Sequence, residues 1–265
     1  MKVVKICSKL RKFIESRKDA VLPEQEEVLA DLWAFEGISE FQMERFAKAA
    51  QCFQHQYELA IKANLTEHAS RSLENLGRAR ARLYDYQGAL DAWTKRLDYE
   101  IKGIDKAWLH HEIGRAYLEL NQYEEAIDHA ATARDVADRE ADMEWDLNAT
   151  VLIAQAHFYA GNLEEAKVYF EAAQNAAFRK GFFKAESVLA EAIAEVDSEI
   201  RREEAKQERV YTKHSVLFNE FSQRAVWSEE YSEELHLFPF AVVMLRCVLA
   251  RQCTVHLQFR SCYNL

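Results

Sequence analysis

Four small residues keep step along the chain: Gly37, Gly77, Gly114 and Ala154, spaced by 40, 37 and 40 residues. Twelve positions after each stands another alanine: Ala49, Ala89, Ala126 and Ala166. Four further on come Phe53, Trp93, Ala130 and Phe170. A glycine in a helix interior costs roughly 1 kcal/mol relative to alanine. A stretch such as "HEIGRAYLELNQYEEAIDHA" (His111 to Ala130) therefore tolerates Gly114 only if packing gains more. Small residues held in phase at a period near 40 signal a helical solenoid, whose hairpins bury their apolar faces against one another. Only 7 Gly and 2 Pro occur in 265 residues, 49% of them hydrophobic, so strand and turn chemistry is scarce and an all-α chain is expected.

The phase predicts paired antiparallel helices, A then B. Helix A falls at about 30–43, 67–84, 105–120 and 142–160, and helix B at about 46–63, 86–101, 123–139 and 163–179. The turns within pairs are short and polar ("MER", "YDY", "NQY", "GNL"). The joints between pairs are longer than a period near 34 would give, so helix B or the joint is extended by about one turn. The small column would let helix A approach B closely. Each aliphatic or aromatic side chain buried there contributes roughly 1.5–3 kcal/mol, more than the propensity loss.

The ends depart from the period. Residues 2–16 place Val3, Ile6, Leu10, Phe13 and Ile14 on one side of an amphipathic helix, expected as the B helix of a pair without its first half. "KAESVLAEAIAEVDSEIRREEAKQER" (Lys184 to Arg209) begins with an apolar stripe and becomes charged, as a helix that caps the stack and then leaves it. The expected organisation is an N-terminal partial repeat (1–29), a repeat array with its cap (30–200), and a charged helix end with an atypical tail (201–265). No lysine follows Lys213, and Cys247, Cys253 and Cys262 fall in the same stretch. It reads as a terminus of different origin or as an unusual tail.

Several functions are disfavoured. A net charge of −10 argues against general nucleic-acid binding. The five cysteines are odd in number and form no CxxC, so neither a disulfide framework nor a zinc site is indicated, and a reducing compartment fits. "MKVVKICSKLRKF" is too often interrupted by Lys and Arg for a signal peptide. "LFPFAVVML" (Leu237 to Leu245) is shorter than the ~20 residues of a membrane helix. "HHEIG" lacks the second histidine of a zinc protease motif, and no GxGxxG, GxxxxGK[ST] or GxSxG occurs. No catalytic residue, metal ligand, cofactor or small-molecule substrate is expected.

The pattern resembles the tetratricopeptide repeat, with Trp33 and Leu73 near helix starts, the Gly/Ala column, and Tyr117 three residues after Gly114. More specifically, "ALDAWTKRL" (Ala89 to Leu97), "HEIGRAYLEL" (His111 to Leu120) and "EWDLNATVLIAQA" (Glu144 to Ala156) resemble the tetratricopeptide-repeat subunit of the outer dynein arm docking complex of motile cilia, over about residues 1–200. Members of that family carry further repeats at the N-terminus and a long charged C-terminal region, neither matched here. The resemblance implies a non-enzymatic scaffold in the cytoplasm and ciliary axoneme. Its partners would be coiled-coil docking-complex subunits and outer dynein arm components. A soluble adaptor for an acidic or amphipathic peptide, of the polarity or cargo type, is the alternative.

In such repeats the concave wall is lined mainly by helix A. Counting from the small column places Arg71, Arg78, Arg82, Trp108, His111, Arg115, Gln155, Phe158 and Tyr159 on it. The arginines would anchor carboxylates of a partner segment, and the aromatic rings would add contact area. The alternative is that these arginines pair with Glu74 and Glu119 on the same wall.

Overall fold

A computed structural model describes residues 2–16 and 24–229. Its helices are α1 (Lys2–Ser16), α2 (Gln25–Gln42), α3 (Phe46–Lys62), α4 (Thr66–Ala81), α5 (Tyr86–Arg96), α6 (Ile104–Glu119), α7 (Tyr123–Arg139), α8 (Met143–Tyr159), α9 (Leu163–Lys180) and α10 (Phe183–Glu229). The chain divides after Arg202 into two units. The first holds α1 to α9 and the start of α10. The described part of the second is helical to Glu229. The tail beyond Glu229, including three of the cysteines, lies outside the described residues.

Each expected A/B pair is present, as α2/α3, α4/α5, α6/α7 and α8/α9. The core is a series of local clusters rather than one centre, and each joins neighbouring helices. Ala49 and Phe53 meet Leu73, Leu76, Ala79 and Ala92. Trp93 and Leu90 meet Leu109 and Ile113. Ala130 meets Leu152 and Ile153. Phe170 and Ala173 meet Leu189 and Val196 of α10. That is the packing of a solenoid, in which a hairpin is stabilised by the next one.

All four column residues are buried, but they serve in two ways. At Gly37 an added Cβ would lie 2.6 Å from Cε1 of Phe53, and at Gly77 it would fall on the indole of Trp93. There the absent side chain makes room for a ring from helix B. At Gly114, where the ring position is Ala130, the Cβ would lie 3.1 Å from the carbonyl oxygen of Ala126 and 3.5 Å from the nitrogen of Ala130. Backbone approach is thus the reason in the third pair, and a large-for-small exchange is the reason in the first two.

The turns share one device. Glu44, Asn64, Tyr84, Asn121, Ala141, Gly161 and Gly181 all have positive φ. The next residue donates its N–H to the carbonyl five back: Arg45 to Glu40, Leu65 to Ala60, Asp85 to Arg80, Gln122 to Tyr117, Asp142 to Ala137, Asn162 to His157, and Phe182 to Ala177. This closure satisfies the last carbonyls of each helix and reverses the chain in three residues.

Two bounds differ from expectation. α2 begins at Gln25, about a turn early. α5 ends at Arg96, so the extra length of that pair lies in a seven-residue joint, whereas α3, α7 and α9 carry theirs as helix. Leu97 and Ile101 pack on the Trp93–Leu109 cluster while Tyr99 packs on the Phe53–Ala92 cluster. Two anchors on different clusters hold 97–103 as a joint.

Candidate functional site

A cleft of about 360 Å³ opens between the second and third pairs. Four of the expected wall residues line it: Arg78 and Arg82 from α4, and Trp108 and Arg115 from α6. Their convergence follows from the stack, since α4 and α6 both pack against α5 and offer residues at matching phase. Trp108 is held edge-on to the buried Trp93, with centroids 6.3 Å apart and planes at 89°. Trp93 is fixed in turn by its Nε1–H, which donates to the carbonyl oxygen of Glu74 at 3.2 Å. The Arg78 guanidinium lies 4.3 Å from the Trp108 ring centroid, and Arg82 lies 4.5 Å from that of Phe46. Stacked this way, each guanidinium keeps its edge free for hydrogen bonds while its face covers a ring.

The acids are close by. Arg78 pairs with Glu74 at 3.0 Å and Arg115 with Glu112 at 3.3 Å. Burial pushes the Glu112 carboxyl up, but the His111 hydrogen bond and Arg115 outweigh it, and the group lies below its ordinary range. Glu119 instead accepts from the Tyr86 hydroxyl, whose pKa is raised by burial and then by that carboxylate. The same-wall pairing expected for Arg115 thus goes to Glu112 rather than Glu119. Arg78, Arg82 and Arg115 thus stand among three carboxylates, Glu74, Glu112 and Glu119, and the charges around the cleft balance. The three arginines are exposed.

The other expected residues are elsewhere. Arg71 is exposed and paired with Glu67. His111 turns toward Trp145, ring centroids 5.3 Å apart. Phe158 packs against the last core cluster, edge-on to the exposed Tyr159, and Gln155 is exposed nearby. Counting helix-A positions also missed Tyr84 and Tyr86, which come from the "YDY" turn and the start of α5 and stand edge-to-face at the rim. The turn itself was the available signal, because a positive φ at Tyr84 tips its side chain out of the helix line.

A stack of Schellman-closed hairpins with an arginine- and aromatic-lined cleft between consecutive pairs defines a helical repeat protein. The tetratricopeptide-repeat family model matches residues 109–133 and 148–179. Solved structures share the fold: aspartyl phosphate phosphatase F from Bacillus subtilis (TM-score 0.57, 14% identity, 86% of this chain and 62% of that one), and a tetratricopeptide-repeat sensor protein from Pyrococcus horikoshii (TM-score 0.57, 16% identity, 74% and 33%). The chain has the tetratricopeptide-repeat fold.

The chain is similar in sequence to outer dynein arm-docking complex subunit 4. It is 38% identical to the Danio rerio protein over 164 residues, 62% of this chain and 34% of that one. To the Homo sapiens protein it is 33% identical over 194 residues, 73% and 29%. The chain spans about a third of the length of the curated relatives it matches.

Proposed function

We propose that the chain is a non-enzymatic scaffold that helps dock outer dynein arms onto the doublet microtubules of the ciliary axoneme. The observation that carries this reading is the identity of 33–38% to docking-complex subunits over 164–194 residues. A stack of hairpins with local cores is suited to it, because the stack holds several weak contacts in one geometry and their combined strength exceeds any one of them. The partners are coiled-coil docking subunits and outer-arm components. The test is removal of the chain from a ciliated cell, followed by electron tomography of the axoneme and co-purification of the tagged chain. Loss of outer arms and recovery of docking subunits support the reading. Intact arms in axonemes without the chain refute it.

A second reading rests on the cleft. Arg78, Arg82 and Arg115 around Trp108 suit an acidic segment with an apolar side chain, as an adaptor would bind. Arg71, His111, Gln155, Phe158 and Tyr159 stand outside the cleft and would serve only a longer ligand along the same wall. Reversing Arg78 and Arg115 to Glu separates the two. Unchanged docking with lost binding of an acidic peptide assigns the cleft to an adaptor role, whereas loss of both makes the cleft part of docking.

A further inference from the structure

The cleft lies where the stack parts. α2 packs directly on α4, and α6 on α8, whereas α4 and α6 are joined through α5. The joint 97–103 stands between α5 and α6, where α3, α7 and α9 carry their extra length as helix. The opened space of about 360 Å³ is at the small end of the range for a ligand site and has room for a few side chains.

Its charges balance, but they are not equally available. Arg78 is taken by Glu74, whose other oxygen lies 3.9 Å from Arg96 of α5. Arg96 is buried, so Glu74 is already shared between two guanidinium groups. Arg115 is likewise taken by Glu112, which also accepts from His111. Arg82 and Glu119 remain. Among the described residues Arg82 stacks on Phe46 and is in no ion pair, and Glu119 accepts from the Tyr86 hydroxyl and is in none either. Both are exposed and both line the cleft. They hold the same place in consecutive repeats, five residues after Gly77 and Gly114, yet they do not pair with each other. Much of the remaining lining is aromatic: Trp108, Phe41, Tyr86 and the 81% exposed Tyr84.

An unmatched cation and an unmatched anion in one cleft suit a ligand that carries both charges. A purely acidic ligand would set a like charge against Glu119, and a purely basic one would set a like charge against Arg82. We propose that the cleft takes a mixed-charge segment of a partner protein, in which an acidic and a basic side chain flank an apolar one. The carboxylate meets Arg82, the cation meets Glu119, and the apolar group covers Trp108. Arg78 and Arg115, already paired, shape the walls. This rests on the reading of the cleft as an adaptor site and narrows the ligand that such a site accepts.

The test uses the full chain and four blocked peptides of one length, each with a central leucine. The leucine is flanked by two aspartates, by two lysines, or by one of each in either order. Binding is followed by NMR at the Trp108 indole, with Trp108→Phe to assign the signal. A mixed peptide should bind best, with one order preferred. Arg82→Gln or Glu119→Gln should weaken it about fivefold, the scale of an exposed charge pair, and should leave helicity by circular dichroism unchanged. Arg82→Glu with Glu119→Arg should invert the preferred order, which a merely structural role for these residues would not do. A peptide with two aspartates that binds as well as the mixed ones leaves the adaptor reading standing and overturns this inference. A preferred order that survives the charge exchange overturns it too. If no peptide moves the Trp108 signal, the adaptor reading falls and this inference falls with it.

Discussion

A methyl group added at Gly77 has nowhere to go. It would overlap the indole of Trp93, which is 1% exposed and clamped between the Glu74 carbonyl and the edge of Trp108. Overpacking of this kind costs about 1–3 kcal/mol even after the gain in helix propensity. Gly77→Ala should therefore lower the urea midpoint clearly. Gly114→Ala meets only contacts of 3.1 Å and regains about 1 kcal/mol of propensity, so it should be close to neutral. Equal losses at the two sites would contradict the two packing modes. The column was legible in the sequence because it repeats. Its two physical reasons were not, since the partner at each site depends on whether position 53, 93 or 130 carries a ring. A second effect at this scale concerns His110 and His129, whose Nδ1 atoms are 3.0 Å apart. One donates and the other accepts, so the pair holds one fewer proton than two free imidazolium rings. Burial, then His129 and Lys106, push His110 down from 6.5 to about 4, and burial lowers His129 as well. The unfolded chain takes up protons near 6.5 that the native chain refuses. Stability is thus fully present above that pH and falls as pH drops toward 4. Denaturant midpoints at neutral pH and at pH near 5 should show the loss, and His110→Phe should flatten it.

At the scale of elements, the turn after α7 offers the sharpest test. Ala141 sits at φ 54°, in the left-handed region, where Gly161 and Gly181 serve two of the other turns. A residue with a Cβ pays roughly 1–2 kcal/mol there. Ala141→Gly should raise stability by up to about 1 kcal/mol after the extra entropy of the unfolded chain, and Gly161→Ala should lower it by a similar amount. The second loss would come from backbone alone, since an added Cβ at Gly161 meets nothing within 4 Å. Thermal unfolding of both variants measures this, and opposite signs are required. The pairs and their turns could be read from sequence because apolar phase and polar breaks agree. The end of α5 could not, because Leu97, Tyr99 and Ile101 look helical in isolation. Only the positions of two separate clusters reveal that Tyr99 is needed on a different side. The cleft was half legible for a related reason. Helix-A counting finds Arg78, Arg82, Trp108 and Arg115, but it cannot see rings supplied by a turn, nor that His111 is drawn toward Trp145 on the next pair.

For the whole stack, the succession of local clusters predicts how damage spreads. Phe170 packs with Ala154 and Ala173 on its own pair and with Leu189 and Val196 on α10, and the core around Phe53 and Leu73 shares no residue with it. In a quasi-linear array, stability is a sum of hairpin and nearest-neighbour contributions. Phe170→Ala removes a buried ring at a cost of about 3–5 kcal/mol. That loss should speed amide hydrogen exchange in α8, α9 and the first turns of α10, while α3 and α4 keep their protection. The corresponding change at the other end, Arg11→Ala, removes the partner of Glu36 and the cation above Trp33. It should release α1 without reaching α6. If exchange instead rises uniformly along the chain in both variants, the stack unfolds as one cooperative block, and the ends are coupled through the full length of the array more strongly than adjacent contacts allow.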